Sequence, residues 1–79
     1  MEFYAELIFN NPGITAKEIA EKGNITLKVA YKHIRRVERD YKCVHRNSED
    51  SLEVFLLEKK KGSRSPFTYN YRKIDAVPM

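Results

Sequence analysis

The side chains best able to engage a partner in this chain of 79 residues are cations, gathered in two blocks. Between Thr26 and Arg46 stand Lys28, Lys32, Arg35, Arg36, Arg39, Lys42 and Arg46, against only Glu38 and Asp40. Between Glu58 and Ser65 stand Lys59, Lys60, Lys61 and Arg64, against Glu58 alone. The first 25 residues lean the other way, with Glu2, Glu6, Glu18 and Glu21 against Lys17 and Lys22. The net charge of +4 is moderate, so its distribution matters more than its size. Two separate cationic blocks on a short chain suit a polyanion touched at two surfaces. For either block alone, the plainer reading is a solvated face that keeps the protein dispersed.

Covalent and metal chemistry are poorly provided for. Cys43 is the only cysteine, which excludes an internal disulfide and a multi-cysteine zinc site; it is expected as a buried small hydrophobe. Cys43, His45 and His33 lack a metal-ligand spacing, so no metal is expected. There is no Gly-rich phosphate loop, and no serine or cysteine beside a histidine with an orienting acid. The paired acids Glu49 and Asp50 fall in an expected turn. The chain reads as a binding protein without enzymatic activity or cofactor. Its longest apolar stretch, Val54 to Leu57, is far short of the roughly 20 residues that span a bilayer, so no membrane partner is expected. Met1-Glu2-Phe3-Tyr4 is not basic and leads into no signal-like run, which gives a cytoplasmic expectation.

The cations need a scaffold, and a hydrophobic content of 42% is enough for one small globular unit. A single domain over 1–79 is expected, with 1–42 helical, 43–75 in strands around a basic loop, and 76–79 a loose tail. Phe3, Tyr4, Leu7 and Ile8 have helical spacing, and Asn10-Asn11-Pro12-Gly13 stops that helix. Ile14 should point into the core. Thr15 with Glu18 makes a capping box for a second helix to about Lys22, burying Ile19 and Ala20. Gly23-Asn24 tolerates positive φ, Ile25 plugs the turn, and Thr26 caps a third helix from Leu27 to Arg39. Leu27, Ala30, Ile34, Val37 and Tyr41 form its apolar stripe, opposite the cations. Cys43 to Arg46 reads as a short strand, Asn47 to Ser51 as a turn, and two further strands flank the loop Lys60–Ser65. A helix over 48–60 competes, with Ser48 as cap, Glu49 and Asp50 in its first turn, lysines at its end and Gly62 beyond. The run Val54 to Leu57, apolar on all sides, favours strands. Tyr69 and Tyr71 are read as sheet packing, and neither His33 nor His45 has catalytic company.

The segment EIAEKGNITLKVAYKHIRRVERD, Glu18 to Asp40, resembles the helix-turn-helix of winged-helix DNA-binding families, which include many bacterial and archaeal transcription regulators. Ile19-Ala20, Gly23-Asn24-Ile25 and Thr26 take the places of the short helix, the turn and the opening of the recognition helix. EKKKGSRSPFTYNYRKI, Glu58 to Ile74, resembles the wing, a β-hairpin with a basic tip. Two departures stand out. The turn glycine lies one place early, with Asn24 in its usual position. Ala30 replaces a large β-branched residue, which calls for close helix packing or a bulky neighbour such as Tyr4 or Phe55.

The resemblance implies an α+β fold, a three-helix winged helix-turn-helix with a C-terminal β-hairpin wing. It implies sequence-specific binding of double-stranded DNA by a transcriptional regulator. The recognition helix, 26–39, would lie in the major groove, whose base edges carry a readable donor and acceptor code. Thr26, Lys28, Tyr31, Lys32 and Arg35 would approach bases, while Arg36 and Arg39 would hold phosphates. The wing, 59–65, would lay Lys60, Lys61, Ser63 and Arg64 over the minor groove or backbone. Thr15 and Lys17 would add a phosphate contact through backbone N–H groups. A homodimer through Val54 to Leu57 would suit palindromic half-sites. The rival readings are a winged-helix protein–protein adaptor and a replication or partition protein; RNA is disfavoured by its narrow major groove.

Overall fold

Caps set the helical half. In the computed structural model, which describes residues 1–78, α1 spans Phe3–Asn10, and the Glu2 carboxylate accepts from the Tyr4 and Ala5 N–H groups at its start. α2 spans Ala16–Gly23 and opens on the expected reciprocal capping box of Thr15 and Glu18. Asn24 ends α2 in the left-handed conformation, φ 53°. Its backbone N–H donates to the Ala20 and Glu21 carbonyls. Two residues on, the Thr26 hydroxyl accepts from the Val29 N–H and starts α3, Leu27–Asp40.

Among the described residues the class is α+β, three helices with a four-stranded antiparallel sheet in the order β1-β4-β3-β2. β1 is only Ile14–Thr15, and it pairs with Tyr69 and Thr68 of β4 (Phe67–Pro78). β2, Cys43–Asn47, pairs with β3, Ser51–Lys61, which in turn pairs with β4 along its whole length. Ser51–Lys61 is therefore strand rather than helix, and residues 48–50 turn the chain into it from β2. Val44, Leu57, Tyr69 and Tyr71 face the helices and close a core with Ala5, Ile8, Ile14, Ala16, Ile19, Ala20, Ala30, Ile34 and Val37. Tyr71 also caps α3: its hydroxyl donates at 2.6 Å to the carbonyl of Tyr41, one of the acceptors a helix leaves unpaired at its C-terminus.

Four expectations need correction. Phe3 is 56% exposed, because α1 makes its close approach at Ala5 and Ile8, which turns the buried stripe about one residue from the expected one. Leu27 is 47% exposed: its spacing fits the stripe of α3, but that stripe is covered only from Ala30 onward. Cys43 is exposed, since alternation along β2 turns Val44 inward and its neighbours outward. The expected loose tail is paired as far as the structure describes it: Ser51, Leu52 and Glu53 give Pro78, Val77 and Ala76 their partners. Met79, the rest of that tail, lies outside the described residues. An extra residue in β4, Ile74, falls between the pairs Phe55–Lys73 and Val54–Asp75 and makes a β-bulge.

Candidate nucleic-acid interface

α3 brings the first cationic block onto one face. Lys28, Lys32, Arg35 and Arg39 recur at spacings of four, three and four residues, a helical stripe opposite the buried Ala30, Ile34 and Val37. Lys28, Lys32 and Arg35 are exposed and take part in none of the ion pairs among the described residues. With Val29 and Tyr31 they line a hollow of about 370 Å³. Tyr31 is 42% exposed. Burial is the main cause that raises the Tyr69 hydroxyl pKa, and the nearness of Glu38 and of Tyr31 adds to it. Thr26 is exposed, with its hydroxyl engaged in the cap.

The other two arginines of the helix already have partners. Arg36 lies toward α1 and donates from Nη2 to Glu2 Oε1 at 2.9 Å. One carboxylate thus caps α1 and ties it to α3. Arg39 makes a two-pronged contact with its neighbour Asp40, Nε to Oδ1 at 2.9 Å and Nη2 to Oδ2 at 3.0 Å. That hydrogen bond, together with the attraction between the charges, raises the Arg39 pKa and holds the Asp40 carboxyl below its ordinary value. Both side chains are exposed, so a phosphate would compete with Asp40 in water.

The second block is carried by the β3–β4 hairpin. Lys60, Lys61, Ser63 and Arg64 are exposed along the end of β3 and the loop beyond it. Thr68 pairs with Lys60 and, on its other side, with Thr15, so β1 holds the loop end of the hairpin beside the start of α2. Lys59 faces the helices and, with Glu38, Lys42 and Leu57, lines a groove of about 280 Å³ between α3 and the sheet. Lys42 and Lys59 are cations that the resemblance did not single out, because nothing in the motif indicates that strand and helix bring them together. At the start of α2 the Glu18 carboxylate accepts from both the backbone N–H and the hydroxyl of Thr15, at 3.1 and 3.0 Å. The chain's own carboxylate thus engages the polar groups of Thr15, while Lys17 is exposed.

His33 stacks on Tyr4, with ring centroids 4.1 Å apart, and Gly23 lies against the same tyrosine ring. Phe55 packs edge-on to Phe9 instead. Among the described residues there is no cluster of three or more His, Cys, Asp or Glu able to hold a metal, and no helix is long and apolar enough to cross a membrane. No protein-family model, curated protein or solved structure matches the chain.

Proposed function

We propose that the chain is a winged helix-turn-helix protein that binds double-stranded DNA sequence-specifically and serves as a transcriptional regulator. One observation carries the reading: Lys28, Lys32 and Arg35 project from α3 without acidic partners, while the other side of that helix is built into the core. A helix anchored this way can enter a major groove and donate to guanine O6 and N7 without rearranging the domain. The element order supports the reading as well, with β1 between the first two helices and the hairpin with its lysines after the third. Arg36 and Arg39 would serve as phosphate contacts after exchanging Glu2 and Asp40. Lys60, Lys61 and Arg64 would follow the adjacent backbone or minor groove.

Pairing of two copies belongs to the same proposal. Alternation along β3 sends Phe55 and Leu57 toward the helices and Leu52, Val54 and Leu56 to the other face, where Val77 is 48% exposed. Two copies joined across this face would present two α3 helices to a palindrome, and sedimentation at micromolar concentration reads the pairing directly.

The DNA reading is tested by titrating random-sequence duplex at several salt concentrations. Lys32→Ala/Arg35→Ala and Lys60→Ala/Lys61→Ala should each weaken binding, and each lost phosphate contact should lower the salt slope by about 1. Affinity unchanged in both double variants, or no duplex binding by the wild type, would leave the adaptor reading in its place.

A further inference from the structure

The tip of the β3–β4 hairpin holds an aromatic ring where a strand exposed to water would ordinarily carry a polar side chain. Phe67 is the first residue of β4 and is 39% exposed. Its cross-strand partner is Lys61, and Lys59 lies two residues back on the same face of β3. Both ammonium groups are drawn to the ring: Lys59 Nζ is 4.3 Å and Lys61 Nζ 5.2 Å from its centroid. Neither lysine belongs to an ion pair among the described residues. The cluster stands past Tyr69, the last buried residue toward this end of β4. It faces the same side of the sheet as the helices, because Phe67, Tyr69 and Tyr71 alternate onto one face.

An apolar body held between two cations matches the chemistry of a minor groove. Its floor and sugar walls are apolar enough to take a ring, and a phosphate backbone runs along each side. Stacking on an unpaired base would need an open ring face, and the Lys59 ammonium already sits over the ring at 4.3 Å. What Phe67 offers a partner is its rim.

We infer that Phe67 is a minor-groove wedge: its rim presses on the edges of a base step beneath the hairpin and opens it, while Lys59 and Lys61 hold the two flanking phosphate strands. The inference rests on the DNA reading above. It adds a preference for duplex that yields at that position, since pyrimidine–purine steps unstack at least cost and A-tracts are stiff. Selectivity at the hairpin would then come from deformability rather than from hydrogen bonds to base edges.

The test compares wild type, Phe67→Ala, Phe67→Leu and Lys32→Ala/Arg35→Ala on three duplexes of one length (alternating TA, an A-tract and alternating GC) and on a single strand of that length. Anisotropy reads affinity, and end-to-end energy transfer reads bending. Wild type should bend the TA duplex and prefer it to the A-tract. Phe67→Ala should lose about tenfold on the TA duplex but less than about twofold on the A-tract, as expected for one apolar contact and its kink. The bend should disappear while the salt slope stays. Phe67→Leu, still an apolar wedge, should keep most of the preference. Since Phe67 lies outside the core, equal thermal midpoints for the variants exclude a folding effect. Phe67→Ala with wild-type affinity and bending, alongside weakened Lys32→Ala/Arg35→Ala, would overturn the wedge and leave the DNA reading standing. Failure of wild type to bind any duplex would overturn both. Tighter binding to a single strand that requires Phe67 would replace the wedge with a stacking platform.

Discussion

At the residue scale, the turn before α3 depends on Asn24, the one non-glycine residue with positive φ among those described. At φ 53° and ψ 48° a Cβ crowds the following carbonyl, a penalty that glycine escapes and asparagine tolerates best of the rest. Asn24→Gly should leave the midpoint of urea unfolding nearly unchanged. Asn24→Val should lose about 1–2 kcal/mol, because a β-branched side chain is a poor fit to this conformation. Equal stability of the two variants would mean that the left-handed cap does not hold the turn. Gly23 has a different reason to be glycine. Its φ is ordinary, but a Cβ there would come within 3.0 Å of Tyr4 Cε1 and 3.1 Å of its hydroxyl oxygen, and so press on the ring that stacks with His33.

At the element scale, α2 is two turns long and owes its definition to its ends. The Thr15 hydroxyl accepts from the Glu18 N–H at 3.2 Å, and the Glu18 carboxylate returns the contact. A helix this short cannot form on propensity alone, so cap and packing must supply its stability. Thr15→Ala should cost about 1 kcal/mol. The same residue pairs with Thr68, so the loss should reach the loop end of the hairpin. Hydrogen exchange should therefore quicken at the Glu18 amide and at the β1–β4 pairs together. Faster exchange confined to α2 would show that β1 holds the hairpin independently of the cap.

At the scale of the whole molecule, the sheet is joined to the helices by two buried tyrosines. Burial raises the hydroxyl pKa of both and pushes Tyr71 up to about 12 from 10.0; the Glu2 charge and Tyr41 add to the effect at Tyr71. A phenol held protonated by folding favours the folded state fully below its unfolded value near 10 and loses that contribution as pH rises through about 12. Stability should therefore fall across that alkaline window, and phenolate absorbance should show a late step near pH 12. Tyr71→Phe should abolish this step and cost about 1 kcal/mol at neutral pH, the net worth of a hydrogen bond like the one to the Tyr41 carbonyl. A wild-type titration without the late step would mean that the hydroxyl is not held there.

Local rules were enough for much of this chain. Thr15 and Thr26 cap, Asn24 turns, Ile19, Ala20, Ala30, Ile34 and Val37 go inward, and Lys28, Lys32 and Arg35 go outward. Capping, positive φ and helical periodicity act within a few residues, so the residue order already contains them. The charge blocks were equally legible, because position along a helix fixes which cations share a face. Packing between distant segments decided the rest. Phe3 and Leu27 fit an apolar spacing but lie where nothing covers them, and Cys43 points outward because Val44 took the inward register. Residues 76–78 are strand only because β3 extends far enough to pair with them. Arg36 meets Glu2 across 34 residues, and Phe67 gathers Lys59 and Lys61 across the hairpin. Spacing determines which side chains share a face of one element; only the assembled fold determines what that face meets.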